Sequence, residues 1–134
     1  MTRKIVKVPG LGDSARYGYE QCILSDKFVF VAGQTGIDEN YNVVSDDFEP
    51  QCRKALSNVR LALEAAGSSM DDIVTMTVFL TRIAKDFKSC MEIRSEFIKP
   101  ERVPASAAIG VSALAYPNLL VEFQVIGELS SANR

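Results

Sequence analysis

The strand-like segments around Phe28 and Leu119 carry apolar residues at both parities, and this limits most sharply what the chain can fold into. A strand with one wet face alternates polar and apolar side chains, whereas one that is apolar on both sides must be covered on both. Only two stretches of the chain have helical spacing. Two helices can cover one face of a sheet of about six strands. The other face then needs a partner, most simply another copy of the same chain.

The remaining pattern fills in this frame. Lys4 to Val8 predicts an edge strand ended by Pro9-Gly10, and Glu20 to Leu24 with Phe28 to Ala32 predicts a hairpin turning at Ser25-Asp26-Lys27. Cys52, Ala55, Leu56, Val59, Leu63 and Ala66 follow helical spacing up to a stop at Gly67, with Asp46 and Asp47 near the positive end of the helix. Ile73 to Thr81 is a strand rich in β-branched residues, with Val74, Met76, Val78 and Leu80 expected on one side. A second helix, about Lys85 to Ile98, sets Phe87, Cys90, Met91, Phe97 and Ile98 on one stripe, with Arg94 falling on it, and stops before Pro100. Ala105 to Val111, a turn at Tyr116-Pro117-Asn118, and Leu119 to Ile126 complete the chain. The expected fold is α+β: a six-stranded mixed sheet with two helices on one face, in the order β-β-β-α-β-α-β-β, forming one domain over residues 1–134.

Composition narrows the function. Fifteen basic and 17 acidic residues are interspersed, so no stripe of one sign is available to neutralise a phosphate backbone, and nucleic acid is not an expected partner. No apolar run approaches the roughly 18 residues of a spanning helix, and the N-terminal stretch lacks the apolar centre of an export signal; a cytoplasmic protein without a membrane partner is expected. Cys22, Cys52 and Cys90 are odd in number and far apart, which suits buried thiols in a reducing compartment. The chain has no histidine, which removes imidazole metal sites, Ser-His triads and histidine bases. Chemistry here has to run on carboxylates, Tyr, Ser, Cys, Lys, Arg or backbone groups.

Several short stretches carry a resemblance when taken together and in order: Tyr19-Glu20-Gln21, Phe28 to Gln34, Leu63 to Gly67, Thr77 to Thr81, and Val121-Glu122-Phe123. With their spacing they span nearly the whole chain, which resembles the Rid family, also called YjgF or UK114. The resemblance implies a homotrimer whose sheets pack into a central barrel, helices outside, with a small-molecule cleft at each subunit boundary. In its best-known branch that cleft hydrolyses 2-imino and 2-enamino acids to 2-oxo acids and ammonia, with neither metal nor organic cofactor. Such chemistry needs a guanidinium to hold the substrate carboxylate and an acceptor to orient water at the iminium carbon.

Against the deaminase branch, this chain departs at a central position. That branch has Pro-Ala-Arg-Ser where this chain reads Pro104-Ala105-Ser106-Ala107, so Ser106 stands in place of the carboxylate-binding arginine. Ala32 replaces a serine before the Gly33-Gln34 pair, and Met91 stands where the branch has asparagine. Tyr19 and Glu122 match cleft residues of the family. The implied ligand-binding set is therefore Tyr19, Ala32, Gly33, Met91 and Ser106, with Glu122 as the catalytic candidate.

Each of these residues also has a plainer reading. Glu122 lies on an otherwise apolar strand, where a carboxylate is either paired or in a wet cleft. Tyr19 contacts a ligand or fills a subunit boundary, and Ser106 without a base is a poor nucleophile. Arg94 and Arg102 are candidates to restore the lost charge; alternatively Arg94 reaches solvent or pairs with Glu96 or Asp86. The expected function is that of a Rid-like small-molecule protein hydrolysing imines, enamines or related small metabolites in an altered site, and not that of a standard 2-imino acid deaminase. The alternative is a trimer that binds a metabolite without turnover, and an endoribonuclease ranks last.

Overall fold

The computed structural model describes residues 3–134; residues 1 and 2, included in the expected 1–134 domain, lie outside the described residues. The chain runs β1 (Arg3–Ile5), β2 (Cys22–Ser25), β3 (Phe28–Thr35), α1 (Phe48–Ala65), β4 (Ile73–Leu80), α2 (Ile83–Ser95), β5 (Ala105–Gly110) and β6 (Val121–Glu128). These strands form one sheet in the order β1-β2-β3-β6-β4-β5. Neighbours are antiparallel except β4 and β5, which are parallel and joined by α2, as a parallel pair requires a crossover. The expected six strands and two helices are all present, in the expected order. The sheet of one chain is open, with β1 and β5 as its edges, and does not itself close into a barrel.

Both helices pack on one face. Val29, Val31, Met76, Val78, Leu80, Val121, Phe123 and Val125 meet Cys52, Ala55, Leu56, Val59, Ala62 and Leu63 of α1, all at most 3% exposed. The other face is a different surface. Ile23, Phe79 and Ile126 are partly covered there, while Phe30 and Ile109 remain 42% exposed. No helix among the described residues is long and apolar enough to cross a membrane.

Local differences from the expected pattern have identifiable causes. The β4–β6 register slips between Ile73 and Thr75, which leaves Val74 as an extra residue turned outward, 41% exposed, rather than in line with Met76, Val78 and Leu80. On α2 the buried stripe is Asp86, Cys90 and Ile93. Phe87 faces outward, and Asp86 is buried because Arg82, one turn earlier, pairs with it at 2.9 Å. β6 starts and ends two residues later than expected, although Leu119 is still buried. Gly67 ends the first helical region with φ +89°, a left-handed conformation that favours glycine. Cys22, Cys52 and Cys90 are buried and free, and burial raises the Cys22 pKa to about 11, so that thiol stays protonated.

The seat of α1 is set by Gly36, just past β3. A Cβ there would lie 2.6 Å from Cα of Gln51 and 2.8 Å from its carbonyl oxygen, both rigid backbone atoms. Gln51 in turn is fully buried. Its Nε2 donates to the carbonyls of Ser45 and Asn118, each at 2.8 Å, and its Oε1 accepts from the Leu120 amide at 2.9 Å. Two turns further, Asn58 donates to the carbonyls of Thr35 and Ile37 at 3.1 and 3.0 Å. Gly36→Ala is therefore expected to cost about 1–3 kcal/mol through helix displacement, read as a lower urea midpoint at unchanged slope.

Candidate functional site

Glu122 lies on β6 opposite Thr35 of β3 and Phe79 of β4, on the face the helices leave uncovered. β3 bulges between Val31 and Gln34, where it inserts an extra residue against β6. That bulge brings Gly33 beneath the Glu122 side chain: a Cβ on Gly33 would stand 2.6 Å from the carboxyl carbon. Only a residue without a side chain leaves the carboxylate this room. Gln34, beside it, has a structural role, donating to the Gln21 side chain at 2.8 Å and to the Ala32 carbonyl at 3.2 Å.

Around the carboxylate lies a cavity of about 270 Å³, walled by Tyr19, Ala32, Gly33, Tyr41, Tyr116 and Glu122 among others. The fourth tyrosine of the chain, Tyr17, meets Tyr41 edge to face at 5.3 Å between ring centres. Backbone turns aim these rings. Ser14 Oγ donates to the Tyr19 carbonyl at 2.8 Å, Tyr41 sits at φ +64° in a turn closed by its amide on the Asp38 carbonyl, and Gln51 holds the carbonyl of Asn118 two residues after Tyr116. The Tyr41 hydroxyl is buried without a hydrogen-bond partner among the described residues.

This setting acts on both ionisable groups. Burial raises the Glu122 pKa above the ordinary 4.5, with no cation or donor among the described residues to offset it. Tyr19 is pushed up to about 12, by burial first and then by the neighbouring Tyr41 hydroxyl, so it is a neutral phenol that can donate a hydrogen bond. A carboxylate of raised basicity among tyrosine rings can hold and deprotonate a water, and the rings can flank a planar or cationic ligand.

Ser106 belongs to a second cluster. It pairs with Met76 across the parallel β4–β5 ladder, so its side chain shares the face occupied by the helices. There Arg94 of α2 donates from Nη1 to Ser106 Oγ at 2.9 Å, with Met76 Sδ at 3.9 Å. Met91, Arg94, Ile98, Val103 and Pro104 line a cavity of about 260 Å³ at this place. Arg102 does not join them: its Nε donates to the Asp71 carbonyl at 2.8 Å, and its guanidinium lies 3.7 Å from Asp72.

The sequence-derived candidates thus fall into two groups. Tyr19, Ala32, Gly33 and Glu122 are together on one side, and Met91, Arg94 and Ser106 on the other. Ser106 and Glu122 lie on strands separated by β4, three ladder rows apart, and project from opposite faces. Strand spacing alone puts them about 10 Å apart across the sheet and about 10 Å along it. They cannot meet within one subunit. Tyr41 and Tyr116 are pocket residues that strand and helix periodicity did not indicate, since both sit in turns; the proline after Tyr116 is a turn signal in the sequence, whereas the left-handed backbone of Tyr41 is visible only in the structure.

Comparison with known proteins gives one consistent result. The family model described as endoribonuclease L-PSP matches residues 13–129. A RutC family protein of Pyrococcus abyssi is 38% identical over 109 residues, which is 81% of this chain and 84% of that one. The human 2-iminobutanoate/2-iminopropanoate deaminase is 35% identical over 97 residues, 72% of this chain and 69% of its own. Among solved structures, a protein of Entamoeba histolytica described as a putative endoribonuclease L-PSP superposes with TM-score 0.86 at 32% identity, covering 96% of this chain and all of that one. A Rid family protein of Yersinia pestis reaches TM-score 0.88 at 29% identity over 96% of this chain.

The buried carboxylate has a measurable consequence for stability. Its folded-state pKa lies above its unfolded value, so its contribution is complete below the unfolded value and lost as pH rises through the folded one. Glu122→Gln should accordingly raise the melting temperature at pH 8, by on the order of 1–3 °C, and leave it unchanged at pH 4, as followed by scanning calorimetry.

Proposed function

Because this chain belongs to the endoribonuclease L-PSP family, the group also called Rid or YjgF, we propose that it acts as a homotrimer hydrolysing small imine- or enamine-type metabolites in clefts between its subunits. Each cleft joins the Glu122 pocket of one subunit to the Ser106 strand of the next, and residues 1–134 form one Rid-like domain. The observation that carries this reading is Glu122 itself: a carboxylate half-buried without a partner among the described residues, in the wall of a tyrosine-lined cavity. Support for the assembly comes from the apolar surface of Phe30 and Ile109 on the sheet face that the chain's own helices leave bare.

In this reading Glu122 accepts a proton from a bound water as the water oxygen bonds to the iminium carbon. The C=N electron pair passes to nitrogen. Proton return from Glu122 to the nitrogen of the tetrahedral adduct lets ammonia leave as the C–N bond breaks, and the carbonyl forms as the adduct's hydroxyl proton passes to the regenerated Glu122 carboxylate. Tyr19 donates a hydrogen bond to the ligand, while Gly33 keeps the space in which the carboxylate moves. None of these steps calls for a metal or organic cofactor.

Ser106 in place of the strand arginine sets this chain apart from the branch that carries out the standard 2-imino acid reaction, and turnover of that substrate should be slower here. The same substitution favours a second reading, a trimer that binds a small metabolite and leaves it unchanged. Endoribonuclease activity has no support in the charge pattern, which lacks a basic stripe.

The deciding experiment follows decay of 2-aminoacrylate and its imine, generated by a pyridoxal-phosphate lyase, with and without the protein. Acceleration over buffer is expected, falling at least tenfold in Glu122→Gln, with an acid limb in the pH profile above 4.5. Decay at the buffer rate would leave the binding reading in its place. Gly33→Ala should keep the fold, because the added Cβ meets a movable side chain, yet displace Glu122 and slow turnover by at least tenfold. Sedimentation should give three chains per particle.

A further inference from the structure

The environment of Arg94 is unusual for a charged side chain. It stands in the last turn of α2, half-buried, and its two hydrogen-bond contacts are a hydroxyl and a thioether, both uncharged. The carboxylates one would pair with it are engaged elsewhere. Glu96 forms a double hydrogen bond with Arg53 at 3.0 Å, and Asp86 pairs with Arg82 at 2.9 Å. Among the described residues no ion pair is formed by Arg94, whereas its neighbours Arg82 and Arg102 each have one.

A guanidinium removed in part from water without a counter-charge is costly, and most of its five N–H donors remain available. Those donors border the 260 Å³ cavity whose other walls are Met91, Ser95, Ile98, Pro100, Val103 and Pro104. Such a site is polar at one end and apolar at the other. Ser106 adjoins it through Arg94: its oxygen accepts from the guanidinium, so its own O–H is free to donate. The serine is also small enough to leave the guanidinium its place above β5.

We propose that Arg94 and Ser106 form a binding site for the carboxylate of a small organic acid, with Met91, Ile98 and Val103 receiving its short apolar chain. The positive charge is thus carried by the helix rather than by the strand. A planar carboxylate matches the guanidinium fork through two parallel hydrogen bonds, and the Ser106 hydroxyl supplies a third. The position at the C-terminal end of α2 favours a cation there, which holds the group ready before the ligand arrives.

This site deepens the cleft reading given above, on which it rests for its part in turnover, but carboxylate binding itself requires only α2 and β5. The test measures both separately on the full chain. Titration calorimetry with butanoate, with butyramide as the uncharged match and inorganic phosphate as a non-planar anion, should show saturable binding of butanoate alone. Arg94→Gln should weaken it at least tenfold, Arg94→Lys by less, and Ser106→Ala about threefold, each with the wild-type circular dichroism spectrum. Equal affinity of wild type and Arg94→Gln for butanoate, or of wild type for butanoate and butyramide, would overturn the assignment. Butanoate binding lost in Arg94→Gln, alongside imine decay at the buffer rate, would remove the hydrolase reading and keep this one.

Discussion

The close approach of α1 to the end of β3 holds the rest of the architecture in place. Gly36 lets the helix backbone come within a distance no side chain would tolerate, and at that depth Gln51 and Asn58 reach the carbonyls and amide of the segments leaving the sheet. These bonds matter because buried backbone groups in turns have no ladder partner of their own. By supplying them, one helix fixes the turn before itself, the end of β3 and the approach to β6. Tyr41, Tyr116 and Glu122 all hang from those segments.

The layer arrangement then divides the chemistry. Helices on one face leave the other face apolar and partly exposed, while the ladder sends Glu122 toward the bare side and Ser106 toward the helical side. A site that uses both requires two copies of the chain, so assembly and function are the same problem for this fold.

Much of this was legible in the sequence where the signal is local. Helix and strand order followed from periodicity, whereas a carboxylate on an apolar strand left Glu122 open between a paired group and a cleft group, and the family resemblance supplied the cleft role. What escaped depends on contacts made across the fold. The bulge that puts Gly33 under Glu122 is a mismatch between two strands far apart in the chain, and the slip that turns Val74 outward is of the same kind. Helical spacing made Phe87 an inward residue, but the Arg82 pair draws Asp86 in and rotates the buried stripe by one position. The state of Arg94 was beyond sequence reasoning for a related reason. Its expected partners Glu96 and Asp86 are claimed by Arg53 and Arg82, a competition that only three-dimensional distances decide.

The parallel β4–α2–β5 unit is contiguous, running from Ile73 to Gly110, and it carries Met91, Arg94 and Ser106 by itself. Glu122 and its tyrosines come from outside that stretch. Under the proposed assignment, mutations within one crossover would relocate or retune the ligand's anchor without disturbing the carboxylate proposed to handle water. One scaffold could then change what it holds while keeping how it acts.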